Sequence, residues 1–336
     1  MTAAAEPASI SGAPGGAGAR SPCVRVAVLI PCYNEQASIG RVVREFRTVI
    51  PAAAVYVYDN NSTDRTAEIA AEAGAVVRHE PMQGKGHVVC RMFGEIEADV
   101  YLLADGDGTY DASSAPALIR RLVSERLDML CAARIGTDAA AYRRGHRLGN
   151  WLLTALVAAI FGNRFSDMLT GYRVFSRRYV KSFPALSSGF EIETQLTVHA
   201  LEMRMRVAEV TTPYFERPAG SPSKLRTVRD GWSILATITY LLKEERPLAF
   251  FSAVFGVLAV SSVLLAVPVV AEFMQTGLVP RFPTAILATG MMLLAFLSLV
   301  SGLILDTVSH GRRELKRLHY LAIPPLPSDA VLCADE

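Results

Sequence analysis

Charge is scarce in this chain. Of its 336 residues only 20% are Asp, Glu, Lys or Arg, against about 25% in an ordinary soluble protein. The formal net charge of +2 excludes a histone-like polycation. Cysteine is scarce too: Cys23, Cys32, Cys90, Cys131 and Cys333 are odd in number and contain no C-x-x-C pair. That excludes a disulfide-rich mini-protein and a zinc ribbon, and it points to reduced thiols in the cytosol. None of the six histidines falls in H-E-x-x-H spacing, so a zinc hydrolase is excluded as well. The first 22 residues are mostly Ala, Gly, Pro and Ser, without an apolar core. They read as a disordered tail and not as a secretory signal. Gly15, Gly16 and Gly18 follow no strand, so they form no nucleotide fingerprint.

What the chain has in place of charge is apolar surface, 51% of residues, with a mean hydropathy of +0.28. It is concentrated. Residues 247–271 and 282–305 carry no charge at all, and about 20 apolar residues suffice for a helix to cross the hydrocarbon core. Both runs read as membrane spans, joined by a short linker. Lys243 and Arg246 flank the first, and Arg312, Arg313, Lys316 and Arg317 follow the second. The positive-inside rule then places both flanks, both termini and the N-terminal domain in the cytoplasm.

Residues 23–215 alternate strands and helices. Apolar runs at 24–30, 54–58, 75–78, 100–104 and 128–132 read as strands, the first breaking at Pro31. Helical patterns cover 36–50, 65–73, 85–97 and 113–125. The polar cluster from Asp59 to Asp64 supplies oxygens to cap the second of these helices. Alternation of this kind predicts an α/β domain, a mostly parallel sheet with helices on both faces, and ligands beyond the carboxyl ends of the strands. Asn34-Glu35, Asp59, Asp105 and Asp107 all fall at such ends. In extended backbone Asp105 and Asp107 project to one face about 6.5 Å apart, and the intervening glycines admit a close ligand. Two such carboxylates suit a hard divalent cation holding a diphosphate. The same four residues also make an ordinary Gly/Asp turn. A glycosidase pair must flank a sugar ring from two sides, which neighbours on one strand end do not.

Pro31-Cys32-Tyr33-Asn34-Glu35, the run DNNSTDRT from Asp59, Gly84-Lys85-Gly86 and the D-x-D of 105–107 together resemble family 2 glycosyltransferases of GT-A fold. Leu169-Thr170-Gly171-Tyr172-Arg173, the run from Phe215 to Leu225 and the C-terminal hairpin narrow the resemblance to the dolichol-phosphate-mannose-synthase-like, polyprenyl-phosphate branch, over residues 24 to about 310. The resemblance implies that Pro31, Tyr33, Asn34, Glu35, Asp59, Lys85 and Asp105 bind a nucleotide sugar, UDP- or GDP-linked. It implies Mg²⁺ or Mn²⁺ on Asp105 and Asp107, and Arg134, Arg173, Arg217 and Lys224 on the lipid phosphate. Asp105, Asp107, Arg134, Arg217 and Glu193 are the implied catalytic set; Glu193 is equally well read as an exposed carboxylate at a helix start. Two departures stand out: Thr109 where relatives often carry a metal-reaching Gln, and Asn60 where they carry a second Asp.

The domain plan that follows is a tail at 1–22, a GT-A catalytic domain at 23–224, an amphipathic juxtamembrane helix at 225–246, the two spans, and a C-terminal tail from 306. Between residues 134 and 181 nine cationic side chains face two acidic ones, a net +7. Embedded there is the apolar run 151–161, which fits either a core helix or an interfacial helix among anionic headgroups. No nucleic-acid recognition motif accompanies the cations. The function implied is inverting transfer of a sugar from a nucleotide sugar to a polyprenyl phosphate at the membrane. An ionised phosphate needs no strong general base, consistent with the lack of a Ser-His-Asp arrangement. Alternatives are a polysaccharide-extending transferase, whose Q-x-x-R-W motif is absent, and a non-catalytic scaffold with a dead domain. A homo-oligomer is left open.

Overall fold

Val26–Cys32 is buried at every position and forms the strand around which the rest is arranged. A strand covered on both faces reads as a continuous apolar run, which is how VAVLIPC reads. The computed structural model describes residues 23–136, 165–184, 192–216, 239–240, 242–244, 246–327 and 331–332. In chain order the first half runs β1 (Cys23–Val24), β2 (Val26–Cys32), α1 (Ile39–Val49), β3 (Ala54–Asp59), α2 (Thr66–Glu72), β4 (Val76–His79), α3 (Lys85–Glu95) and β5 (Val100–Leu103). Then come α4 (Ala115–Ser124), β6 (Met129–Gly136), β7 (Arg173–Ser176), α5 (Arg177–Ser182), α6 (Ile192–Glu202) and β8 (Val207–Tyr214). Two long helices, α7 (Pro247–Thr276) and α8 (Phe282–Ala322), precede β9 (Val331–Leu332).

Seven strands make one sheet in the order β4-β3-β2-β5-β7-β6-β8. All its pairings are parallel except those of β7, which runs antiparallel between β5 and β6. The period-2 alternation of strand side chains sorts the core into two layers. Leu29, Tyr101 and Leu103 face α3, α5 and α6, packing with Met92, Phe93 and Tyr179. Val28, Ile30, Val57 and Leu102 face α1 and α4, packing with Val43, Phe46 and Ile119. Helix α1 shows why it takes that place: Ile39, Val42, Val43 and Phe46 are buried, while Arg41, Arg44 and Arg47 between them are exposed, the helical period written in alternating chemistry.

The strand expected to break at Pro31 instead continues through it to Cys32, with Pro31 opposite Tyr58 and Cys32 opposite Asp59. Backbone groups of successive strand residues face opposite neighbours. The Leu29 carbonyl accepts from Ala104 on the β5 side, and the Cys32 carbonyl accepts from Asn60 on the β3 side. Pro31 therefore faces β5, whose pairing with β2 ends at Leu29. Its missing N–H costs nothing there.

Cys32, Cys90 and Cys131 are free thiols, as expected. Cys23 is not: it is disulfide-bonded. The reason is spatial, since β1 pairs with β9 at the far end of the chain, a proximity that spacing along the sequence does not show. Cys333 lies outside the described residues, as do the run 151–161 and most of 225–246.

Helices α7 and α8 are both long and apolar enough to cross a membrane, and only 11% and 17% of their most apolar windows are buried inside the protein. A helix in a soluble core would be mostly buried. Gly277, at φ +69°, ends α7 in the left-handed conformation that glycine tolerates. On α8 the buried positions Ala288, Ala295, Gly302 and Ser309 recur every seven residues, a stripe of small side chains against α7. Ser262 and Ser298 hydroxyls donate to the Ala288 and Phe251 carbonyls across it, at 2.7 and 3.1 Å. Small residues that admit close backbone approach are the usual means of pairing helices in lipid. Helix α8 does not stop where its apolar run stops at 305: the segment expected as a tail stays helical to Ala322 and packs on α5 and the end of α6.

A Cβ at Gly302 would lie 2.8 Å from the Cβ of Phe251, whereas one at Gly256 meets nothing within 4 Å. Gly302→Val is expected to cost about 1–3 kcal/mol, read as a lower Tm in detergent, with Gly256→Ala unchanged. In α6, His199 packs edge-on against Tyr179 and Phe183, and its Nδ1 is buried without a partner. Burial, helped by the nearby Lys316 charge, lowers its pKa to about 3. The unfolded chain takes up this proton near pH 6.5 and the folded chain does not, so stability is intact above pH 6.5. It falls by up to about 1.4 kcal/mol per pH unit below that. His199→Met should flatten the Tm profile between pH 6.5 and 4; an unchanged slope would refute the assignment.

Candidate active site

The carboxyl ends of β3, β2 and β5 lie side by side, and the polar segments that follow them form one crevice. After β2 the chain turns through Asn34, at φ +51°, a left-handed conformation that Asn tolerates. Its side-chain oxygen accepts from Thr63 N at 2.8 Å, while its own N–H donates to Ser62 Oγ at 2.9 Å. The next residue, Glu35, donates its N–H to Thr66 Oγ1 at 2.8 Å. The polar cluster after β3 thus does two jobs. Asp64 Oδ1 accepts from Thr66 N at 3.0 Å and opens α2, and the hydroxyls fasten the β2 turn. Tyr33 is about one-third exposed at the rim, and Pro31 lies inside the strand.

Asp59 is 3% exposed. One carboxylate oxygen, Oδ2, accepts from Ser62 N at 3.2 Å and lies 3.2 Å from His79 Nδ1. The other, Oδ1, is buried with no hydrogen-bond partner. A buried acceptor left open is costly, and it suits a ligand that brings an N–H donor. Asn60, by contrast, is fully used: its amide donates to the Glu80 and Met82 carbonyls at 2.9 and 2.8 Å and accepts from Gly84 N at 2.8 Å. It staples the loop that leads into α3.

Lys85, the first residue of α3, is the centre of the crevice. Its Nζ lies 2.6 Å from both Asp105 Oδ1 and Glu193 Oε1. Burial alone would lower its pKa, but the Asp105 and Glu193 charges outweigh that and hold it well above the usual lysine range. Glu193 is therefore no exposed carboxylate; it is 7% exposed and turned into the site from the first turn of α6.

The D-G-D-G turn is built around its glycines. A Cβ on Gly106 would come 2.5 Å from Cys32 Sγ, and one on Gly171 would come 2.7 Å from Asp105 Oδ2. Gly171 N donates to the Tyr110 hydroxyl at 2.9 Å, and the Tyr110 ring stacks on Tyr172 at 5.1 Å. Asp107 is 3% exposed, with Oδ1 accepting from Thr109 Oγ1 at 2.7 Å. Thr109 thus orients Asp107. Among the described residues no third His, Cys, Asp or Glu joins this pair as a metal-binding group. Two carboxylates on one turn fit a hard divalent cation whose other ligands are diphosphate oxygens and water.

The arginines divide. Arg134 is held in two bonds by Asp167, at 2.7 and 2.8 Å, beside the Tyr214 ring. Burial would raise the Asp167 carboxyl, and the Arg134 guanidinium keeps it below the usual range. Arg173, expected on the lipid phosphate, is turned into the protein. It is 0% exposed, and its guanidinium donates to Thr170 O at 2.9 Å, Thr197 Oγ1 at 2.8 Å and Met168 O. It shapes the 168–172 segment that backs Asp105. Arg217 and Lys224 lie outside the described residues. The sequence does not mark Asp167, Tyr110 or Gly171 as site residues: Gly171 lies inside the motif 169–173, and nothing local distinguishes the other two.

The profile of Glycosyl transferase family 2 matches residues 27–183. A glycosyltransferase of Haloferax volcanii, AglJ, is 32% identical over 299 residues, 88% of this chain and 98% of its own length. The dolichyl-phosphate hexose transferase of the same organism is 29% identical over 221 residues, 66% of this chain and 95% of its own. Glucosyl-3-phosphoglycerate synthase of Mycobacterium tuberculosis, crystallised with Mn²⁺, UDP and glucosyl-3-phosphoglycerate, shares the fold. It has a TM-score of 0.53 and 21% identity, over 66% of this chain and 79% of that one.

The reassignment of Arg173 is directly measurable. Arg173→Met strands two buried carbonyls, each costing about 1–3 kcal/mol, so a large fall in Tm is expected. A phosphate-gripping surface arginine would leave Tm unchanged.

Proposed function

Because the chain belongs to glycosyltransferase family 2, we propose that it transfers a sugar from a nucleotide sugar to a membrane-borne polyprenyl phosphate, inverting the anomeric carbon. The observation that carries this reading is the Lys85 ammonium between Asp105 and Glu193, at a crevice whose domain is continuous with two helices of membrane-crossing length. The likeness to a dolichyl-phosphate hexose transferase supports the acceptor class.

The open Asp59 Oδ1 accepts an N–H of the nucleobase. Asp105 and Asp107 would hold Mg²⁺ or Mn²⁺, which when bound supplies positive charge against the leaving diphosphate. Lys85 adds a fixed charge on the same side and keeps Asp105 and Glu193 from repelling each other. An oxygen of the lipid phosphate attacks the anomeric carbon in line. The bond to the diphosphate breaks, its electron pair leaves on the nucleoside diphosphate, and the new C–O bond forms with one inversion. The attacking phosphate is already ionised, so no proton must be removed and positioning is the main task left. The hairpin is antiparallel, so Lys243, Arg246 and the cations after residue 305 share one end, which the positive-inside rule assigns to the cytoplasm with the crevice.

The test is purified full-length protein with polyprenyl phosphate, Mn²⁺ and a panel of radiolabelled UDP- and GDP-sugars. Label is expected to pass into the organic-solvent extract with one donor. No transfer from any donor would sink the reading. Asp107→Asn should lose roughly 100-fold or more of the turnover while keeping its Tm; wild-type turnover would remove the metal assignment.

A further inference from the structure

Helix α8 continues 17 residues beyond its apolar run, from Asp306 to Ala322. Ser309, Arg313, Lys316, Arg317 and Tyr320 fall on one face of that extension by helical spacing, and each is engaged. The Ser309 hydroxyl donates to the Glu244 carbonyl at 3.2 Å, just ahead of α7. Lys316 and Arg313 lie 2.8 and 3.5 Å from Glu202 at the end of α6, a carboxylate whose side chain is 2% exposed. Arg317 donates to the Met203 carbonyl at 2.6 Å.

Tyr320 closes the contact. It is 6% exposed, and two guanidinium groups lie over its ring, that of Arg178 at 3.8 Å from the centroid and that of Arg317 at 4.9 Å. Its hydroxyl donates to Asp128 Oδ2 at 2.8 Å. Asp128 is itself buried, accepting from Arg206 N and Ser176 Oγ, both at 3.2 Å. Those residues stand where β6 and β8 begin and β7 ends. The clamp therefore grips the sheet at the edge opposite the crevice, about 22 Å along α8 from residue 305.

We propose that this extension is a rigid strut, and that Tyr320 with Asp128 and Glu202 are positioning residues for the membrane-borne acceptor. They fix the height and tilt of the domain over the lipid surface and take no part in the chemistry. A small rotation at the clamped edge becomes a displacement of several ångströms at the crevice, because an eight-residue strand is about 26 Å long. The geometry of the two helices alone would leave that angle free. The inference rests on the transfer reaction proposed above.

The experiment compares two acceptors with the full-length protein. One is long-chain polyprenyl phosphate in proteoliposomes, and the other is a water-soluble short-chain prenyl phosphate. Tyr320→Ala, and a single alanine inserted after Gly311, each disrupt the clamp; the insertion turns the docking face by about 100° without touching the catalytic domain. Both should lower kcat/KM on the vesicle acceptor at least tenfold and change it less than twofold on the soluble one. Tyr320→Phe should recover part of the loss. Gly311→Ala, whose Cβ meets nothing within 4 Å, should match the wild type on both. Equal losses on the two acceptors would mean a merely structural role and overturn the strut, as would no loss on either. A wild-type protein inactive on both acceptors would instead refute the transfer reaction itself.

Discussion

One ammonium group holds the crevice together. Lys85 begins α3, Asp105 follows β5 and Glu193 lies in the first turn of α6, so three elements distant in sequence meet at a single nitrogen, 2.6 Å from each carboxylate. Each of these groups is largely removed from water, and any one of them without its partners would be an expensive buried charge. Together they leave a net negative site with a cation already in place. That charge pattern suits a diphosphate with a divalent ion. A side chain at Gly171 would press on the same carboxylate, its Cβ 2.7 Å from Asp105 Oδ2.

Much of the site was legible because its chemistry is local. The D-x-D turn, the Asn34-Glu35 turn and Asp59 are short motifs at strand ends, and a strand end is where a ligand meets such a sheet. The fold was legible through apolar runs and helical periodicity, which survive without tertiary information. The antiparallel insertion of β7 was not, because nothing in four residues, RVFS, records the direction in which they enter a sheet. The burial of Arg173 was not legible for a related reason. An arginine beside a motif looks like a phosphate ligand until its burial is known, and the carbonyls that consume it belong to residues three and five positions away in a turn. Asn60, where relatives carry a second Asp, fastens the loop that leads into α3, a role set by partners 20 to 24 residues away.

The C-terminal helices show how one sequence pattern carries two meanings. Large apolar residues such as Leu264, Leu293 and Leu297 face outward, while small ones face the partner helix. That arrangement is inside-out relative to the domain it serves, and it is stable only where the outward face is not in water. Past residue 305 the same helix changes surroundings without breaking, and its contacts change from small-residue packing to ion pairs and a clamped ring.

Pro31 stands where the pairing of β2 with β5 has just ended. Beyond Leu29 the β2 backbone on the β5 side could in principle keep zipping, and in a sheet an unfilled edge invites another strand. Proline withholds the next donor on that side, and the pairing of β2 with β5 stops at Leu29. The ladder of the two strands ends with the Ala104 N–H on the Leu29 carbonyl, and Asp105 begins where that ladder lets the chain go.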